Sequence, residues 1–106
     1  NLDQQFLEKV VEIIEDNLDN GDFDVSYIAE KVYMSNSTLY RKIKGLTGVS
    51  TNEFIRKIRL KHSLKLLQSG DYNVTESAYM TGFNNMAYYR ECFKKEYGVL
   101  PSEYLK

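Results

Sequence analysis

The sequence has few of the residues that build crosslinks and metal sites: among 106 residues it contains one cysteine, one histidine, one proline and no tryptophan. The single cysteine, Cys92, excludes an intrachain disulfide. It lies in the apolar pattern of a helix, where we predict a buried thiol. His62 has no second histidine or cysteine near it at metal-binding spacing. We therefore predict no metal and no cofactor in this chain.

Signatures of catalysis and of membrane insertion are also missing. The sequence has no defensible Ser/His/Asp or Cys/His arrangement and no glycine-rich phosphate loop, so we predict that the protein is not an enzyme. No apolar run approaches the roughly 20 residues that span a bilayer, and no signal peptide opens the chain. We expect a cytoplasmic protein without membrane contact. A chain of this length also leaves little room for a deep cleft, so we expect no small-molecule ligand.

Charge is distributed unevenly along the chain, although the formal net charge is only −1. Residues 1–24 carry eight carboxylates against Lys9, whereas residues 35–65 carry eight basic side chains against Glu53. Screening acts over about 8 Å at physiological salt, so a ligand responds to the charge of the segment that it approaches. The basic segment favours an anionic partner. For the acidic segment two interpretations stay open: contact with RNA polymerase or an upstream regulatory domain, or an ordinary solvated surface.

Apolar residues recur at three- and four-residue steps along the chain, and the alternation typical of strands is absent. The first helix is predicted to begin with a cap at Asp3 and to stop at Asn20–Gly21. A short second helix is predicted after the N-cap Asp24, with Ile28 and Ala29 facing inward.

A third helix is predicted to follow the N-cap Ser35 and to end at Gly45 or Gly48. Its inward side comprises Leu39, Ile43 and Leu46. A long helix then follows the capping-box sequence STNE at residues 50–53 and ends at Ser69–Gly70. Three more helices complete the chain, the last with Pro101 in its first turn. The pattern predicts an all-α fold of about seven helices.

The two halves of the chain repeat each other. FDVSYIA at residues 23–29 matches YNVTESA at residues 72–78, an offset of 49. Past the following turn the offset is 50, so that Leu39, Ile43 and Gly48 align with their counterparts Tyr89, Phe93 and Gly98. This repeat predicts two homeodomain-like helix-turn-helix units, in which the second helix of each pair enters the DNA major groove. We assign residues 1–49 to the first unit, 50–70 to a linker helix and 71–106 to the second unit, together forming one DNA-binding domain.

The second half contains AYMTGFNNMAYYRECFKKEYGVLPSEY at residues 78–104. This stretch resembles the AraC/XylS family of bacterial transcription regulators, whose DNA-binding domain is two helix-turn-helix units bridged by a long helix. LYRKIKGLTGVS at residues 39–50 is similar to family members that form the output end of hybrid two-component sensors. The resemblance implies sequence-specific binding to double-stranded promoter DNA, with recognition helices 35–46 and 85–96 in successive major grooves. A helical protein–protein interaction module is the alternative, favoured by the near-zero net charge.

The outward faces of the two recognition helices are the candidate DNA surface. Arg41 is the strongest candidate, since arginine donates to guanine O6 and N7 together. Tyr40 would touch a thymine methyl group or a phosphate. The predicted base-contacting residues are Asn36, Ser37, Tyr40 and Arg41 in the first unit and Met86, Ala87, Arg90 and Glu91 in the second. The predicted phosphate contacts are Ser35, Thr38, Lys44, Thr75, Asn84, Tyr88 and Lys94.

Three positions depart from the family pattern. Ala87 stands where a serine is common, Glu91 where a basic residue is frequent, and Leu100 where threonine or serine usually precedes the proline. Since Glu91 corresponds to Arg41 in the repeat and a carboxylate repels phosphate, we expect fewer specific contacts from the second unit. The linker helix carries four basic residues that wind around it: Arg56, Lys57, Arg59 and Lys61. Only some of these four can face DNA.

Overall fold

A computed structural model describes residues 1–105 and contains seven α-helices in that range and no strand. This confirms the prediction of an all-α fold. The helices are α1 (Leu2–Glu15), α2 (Val25–Lys31), α3 (Asn36–Thr47), α4 (Thr51–Ser69), α5 (Val74–Met80), α6 (Met86–Tyr97) and α7 (Pro101–Tyr104). Within the described part of the chain, no helix is both long enough and apolar enough to cross a bilayer.

Side-chain caps determine most helix starts. Asp24 and Ser35 accept hydrogen bonds from the backbone amides of Tyr27 and Thr38, both at 3.1 Å, which confirms the predicted starts of α2 and α3. The end of α3 at Gly48 is confirmed as well, because this glycine adopts the left-handed conformation with φ of +81°.

Both predicted ends of α1 are wrong. The N-cap is Asn1, whose side chain accepts from the Gln4 amide at 2.8 Å, and Asp3 lies in the first turn instead. At the other end the helix stops at Glu15, five residues before the predicted Asn20. The Asn17 side chain donates to the Ile13 carbonyl at 2.8 Å, so a side chain replaces the backbone partner that a continuing helix would supply.

The first compact unit comprises Asn1–Asn17 and Asp22–Ile58. Side chains with no exposed surface form its core, and they come from three helices: Val10 and Ile14 from α1, Ile28 from α2, and Leu39 and Ile43 from α3. The Lys42 ammonium lies 4.4 Å from the centre of the Phe6 ring, a further link between α3 and α1. Leu46 is 38% exposed, so its predicted inward orientation is wrong. It lies in the last turn of α3, beyond the final buried position at Ile43.

The second compact unit comprises Leu18–Gly21 and the residues from Arg59 onward. Its core is richer in aromatic rings: the ring centres of Phe83 and Tyr89 are 5.0 Å apart, and those of Tyr89 and Phe93 are 5.8 Å apart. Cys92 is buried in the same cluster, as predicted. The Tyr89 hydroxyl donates to the Ser63 hydroxyl at 3.1 Å, and burial raises the pKa of Tyr89. A buried hydrogen bond therefore joins α6 to α4.

The long helix α4 contributes to both cores. Ile55 is buried in the part of α4 that belongs to the first unit, whereas Leu60 and Leu67 are buried in the part that belongs to the second. This explains why its apolar residues do not form one stripe. The division between the compact units falls after Ile58. The assignment of residues 1–49, 50–70 and 71–106 to two units and a linker stays a prediction.

Candidate nucleic-acid interface

The turns between paired helices have the same hydrogen bonding in both units. In the first, the Met34 amide donates to the Ala29 carbonyl at 2.9 Å; in the second, the Phe83 amide donates to the Ala78 carbonyl at 2.9 Å. The alanines are those aligned by the sequence repeat. The helix-turn-helix geometry predicted from that repeat is therefore present in each unit.

The turns differ at the residue just before those amides. Gly82 has φ of +90° in the second unit, and the corresponding residue of the first unit is Tyr33, with φ of +58°. Tyr33 is the single non-glycine residue with positive φ among residues 1–105, and its side chain is 96% exposed. A Cβ in the left-handed region is too close to the following carbonyl, so Tyr33 stores backbone strain that Gly82 avoids.

Hydroxyl groups cluster at the amino-terminal end of α3. The Ser35 and Thr38 hydroxyls are hydrogen-bonded at 2.9 Å, and the Arg41 guanidinium donates to the Thr38 hydroxyl at 3.3 Å. Asn36 donates to the Ser26 hydroxyl of α2 at 3.1 Å. These bonds hold Arg41 along the first turns of the helix, at the end where the helix dipole favours an anion.

The outward face of α3 has the side chains that the sequence predicted. Ser35, Asn36, Ser37, Tyr40, Arg41 and Lys44 are exposed, and Thr38 is half-buried. The Lys44 ammonium donates to the Gly48 carbonyl at 2.9 Å, so in this structure it folds over the carboxyl-terminal end of α3. The amino-terminal half of α3 is therefore the better candidate for contact with DNA.

The outward face of α6 matches the predicted set except for one residue. Ala87, Tyr88, Arg90, Glu91 and Lys94 are exposed, as are Asn84 in the preceding turn and Thr75 in α5. Met86 is half-buried and packs against the core cluster of the second unit, so its predicted outward position is wrong. The physical reason is that Met86 opens α6 directly above that apolar cluster, and its flexible thioether chain covers it.

The two recognition helices differ in charge. Helix α3 carries Arg41, Lys42 and Lys44 and no carboxylate, whereas α6 combines three basic residues with Glu91 and Glu96. A phosphate backbone therefore meets a more uniformly positive helix in the first unit.

Arg59 does not face DNA. The sequence places it among the basic residues of α4 that compete for that position, but the side chain is only 7% exposed, so the prediction is wrong for this residue. Its guanidinium donates to the carbonyl oxygens of Leu18 at 2.6 Å, Thr81 at 2.7 Å and Asn20 at 3.2 Å. Sequence periodicity does not separate Arg59 from its basic neighbours, because α4 carries basic residues on several sides.

Comparison with known proteins identifies the family. A model described as "Helix-turn-helix domain" matches residues 28–106. Histidine kinase P4 of Formosa agariphila is 38% identical over 104 residues, which are 98% of this chain and 8% of that protein. The HTH-type transcriptional activator RhaS of Mannheimia succiniciproducens is 33% identical over 95 residues, which are 90% of this chain and 35% of that protein. This chain thus spans well under half the length of either relative.

A solved structure has the same fold. The DNA-binding domain of AdpA, a global transcriptional factor solved in complex with a target DNA, superposes with a TM-score of 0.83 and 31% identity, covering 94% of this chain and 88% of that one. The family is one of DNA-binding regulators rather than of enzymes. With three quarters of its length matched by the helix-turn-helix model, the chain belongs to the family of AraC-type helix-turn-helix DNA-binding domains of transcription regulators.

Proposed function

We propose that this domain binds double-stranded promoter DNA sequence-specifically, with α3 and α6 in successive major grooves. The observation that carries the proposal is the two-sided character of α3. Leu39 and Ile43 are fully buried, while Ser37, Tyr40 and Arg41 are exposed on the other side. A helix anchored in this way presents a polar face of the size that enters a major groove.

Arg41 supplies most of the base discrimination in the first unit. Its hydrogen bond to Thr38 orders the side chain before DNA arrives, which lowers the entropy lost on binding. A bidentate bond from arginine to guanine contributes about 1–3 kcal/mol of discrimination. Ser35 and Thr38 lie beside it and position the helix on the phosphate backbone.

The second unit contributes fewer specific contacts. The Glu91 carboxylate accepts a hydrogen bond from N4 where the base that it faces is a cytosine, but it repels the neighbouring phosphates. Arg90, Ala87 and the half-buried Met86 offer less hydrogen bonding than the corresponding face of α3. Tyr88, Asn84, Lys94 and Thr75 serve mainly as phosphate contacts.

The two-groove arrangement predicts the spacing of the binding site. One turn of B-DNA separates successive major grooves by about 34 Å. We therefore expect a binding site with two half-motifs about 10 base pairs apart.

We also propose that this domain is the output end of a longer regulator of the hybrid two-component type, acting in the cytoplasm. The support is the similarity to a histidine kinase of which this chain covers only 8%. The exposed carboxylates of α1 are then available to RNA polymerase or to an upstream domain, or they form a solvated face. Replacing Glu8 and Glu12 with glutamine in the full-length regulator separates these cases, because a solvated face leaves transcriptional activation unchanged.

Selection from random duplex DNA tests the proposed function. The expected result is a motif with two halves about 10 base pairs apart, and an affinity that falls steeply with salt. A single short motif would contradict the two-groove model while leaving DNA binding intact. If no duplex is retained at low salt, DNA binding itself is wrong and the protein-interaction module is favoured.

A further inference from the structure

Arg59 is a buried cation that joins three separate stretches of the second unit. It lies on α4, the Leu18 and Asn20 carbonyls lie on the segment after α1, and the Thr81 carbonyl lies in the turn before α6. Three charge-assisted bonds from one planar group fix the direction as well as the distance of each partner. The guanidinium therefore determines where the turn sits on α4.

Close packing around this group leaves no room for a side chain at residue 82. A Cβ placed on Gly82 would collide with the Arg59 guanidinium and lie 2.6 Å from the Leu18 carbonyl oxygen. A Cβ placed on Gly21 would collide with the Asn84 side chain. Segment 18–21 thus contacts the turn at two points, Gly82 and Asn84. Asn85, the next residue, is the N-cap of α6.

The sequence repeat shows what is particular to the second unit. At the offset of 49, Arg59 corresponds to Val10 and Ser63 corresponds to Ile14, and all four side chains are buried. The first unit therefore supports its helix-turn-helix with apolar packing. In the second unit the same two positions are polar. Arg59 donates a hydrogen bond to the turn at the Thr81 carbonyl, and the Ser63 hydroxyl accepts a hydrogen bond from the Tyr89 hydroxyl of α6. Hydrogen bonds are directional, so they orient α6 more strictly than apolar contacts would.

We propose that Arg59 is a positioning residue for DNA recognition by α6, and that segment 18–21 is a working part of the second DNA-contacting unit. The segment precedes the first helix-turn-helix in sequence. Its Leu18 and Asn20 carbonyls, the Arg59 guanidinium and the Thr81 carbonyl form a hydrogen-bonded clamp that orients the second helix-turn-helix. This inference rests on the proposed function. Its specific consequence is that loss of the clamp impairs recognition of one half-motif and spares the other.

The test uses the duplex obtained by selection and two derivatives, each with one half-motif scrambled. Arg41→Ala identifies the half-motif that α3 contacts. Wild type is expected to bind the duplex with the α6 half-motif scrambled at least about tenfold more weakly than the intact one. For Arg59→Met the ratio of the two Kd values, for the duplex with the α6 half-motif scrambled and for the intact duplex, is expected to fall towards one. Its affinity for that scrambled duplex is expected to stay within about twofold of wild type.

Three variants make the result specific. Gly82→Ala, which disturbs the clamp from the other side, is expected to give the same pattern. Arg59→Lys keeps the charge but offers one donor group instead of a planar fork, so an intermediate ratio is expected. Lys65→Met removes a charge from an exposed position of the same helix and is expected to keep the wild-type ratio.

Hydrogen exchange provides a readout that is independent of DNA. Arg59→Met is expected to accelerate amide exchange at residues 81–89 and to leave residues 35–39 at the wild-type rate. If Arg59→Met does not fold, Arg59→Lys carries both measurements. The proposal is overturned if folded variants of Arg59 and Gly82 keep the wild-type ratio, or if they lose affinity equally for all duplexes. Failure of wild type to bind any duplex would instead overturn the proposed function, and the exchange measurement would still test the clamp.

Discussion

Replacing Tyr33 with glycine is expected to stabilise the first unit. Tyr33 has φ of +58°, and its side chain is 96% exposed, so removing the ring costs almost no packing. A non-glycine residue in the left-handed region costs about 1–2 kcal/mol. Glycine gives back about 0.4–1 kcal/mol of that through the greater entropy of the unfolded chain. The net gain is about 0.5–1 kcal/mol, which raises Tm by about 2–8 °C for a unit of this size.

Tyr33→Ala is the matched control, because it removes the same ring but keeps the Cβ that causes the strain. Its stability is expected to stay close to wild type. Tyr33→Asn is expected to fall between alanine and glycine, since asparagine tolerates the left-handed conformation. Gly82→Ala tests the same turn position in the opposite direction. It combines strain with the clash against Arg59 and the Leu18 carbonyl, so we expect a loss of about 2 kcal/mol or more.

Urea unfolding followed by circular dichroism and by tyrosine fluorescence measures all four variants. If the slope of the unfolding free energy against urea concentration is the same in all variants, their unfolding midpoints can be compared directly. If Tyr33→Gly is no more stable than Tyr33→Ala, the positive φ of residue 33 stores no backbone strain. A glycine variant less stable than wild type would show that the exposed ring makes contacts that outweigh the backbone cost.

Three further predictions concern other parts of the two units. Arg41→Ala is expected to weaken binding to the selected duplex by about 5- to 140-fold, measured by fluorescence anisotropy, and Arg90→Ala by less; equal losses would contradict the asymmetry between the units. Burial raises the pKa of Tyr89, so the folded state keeps its proton at pH values where the unfolded chain loses it. Stability is therefore expected to decline above about pH 10, the ordinary pKa of tyrosine, and the decline should be shallower in Tyr89→Phe when unfolding is followed between pH 8 and about 11. Lys42→Met, which keeps the aliphatic chain but removes the charge over Phe6, is expected to cost about 0.5–1 kcal/mol in urea unfolding; an unchanged midpoint would mean that the ammonium adds nothing to the packing.

Local rules sufficed for the parts of the fold that depend on neighbours in sequence. Asp24 and Ser35 cap their helices through amides three residues away, and Gly48 ends α3 through its own backbone conformation. The repeat predicted the two helix-turn-helix units correctly. The reason is that the hydrogen bonds accepted by Ala29 and Ala78 are equivalent and lie within their own turns. The exposed face of α3 followed from the buried positions of Leu39 and Ile43. In each case the interacting groups are at most five residues apart.

The surroundings of Met86 and Arg59 depend on the packing of different elements, which local sequence rules do not give. Met86 shares the buried side of α6 with Tyr89 and Phe93, three and seven residues later, but only the folded chain shows that its side chain reaches the aromatic core. Arg59 looks like any basic residue of a solvated helix. Its partners at Leu18, Asn20 and Thr81 are 41, 39 and 22 residues away, and no periodicity in α4 points to them. Amino-acid pattern determines which faces are apolar, because burial follows helical spacing. Only the folded chain determines which distant carbonyl groups a buried cation meets.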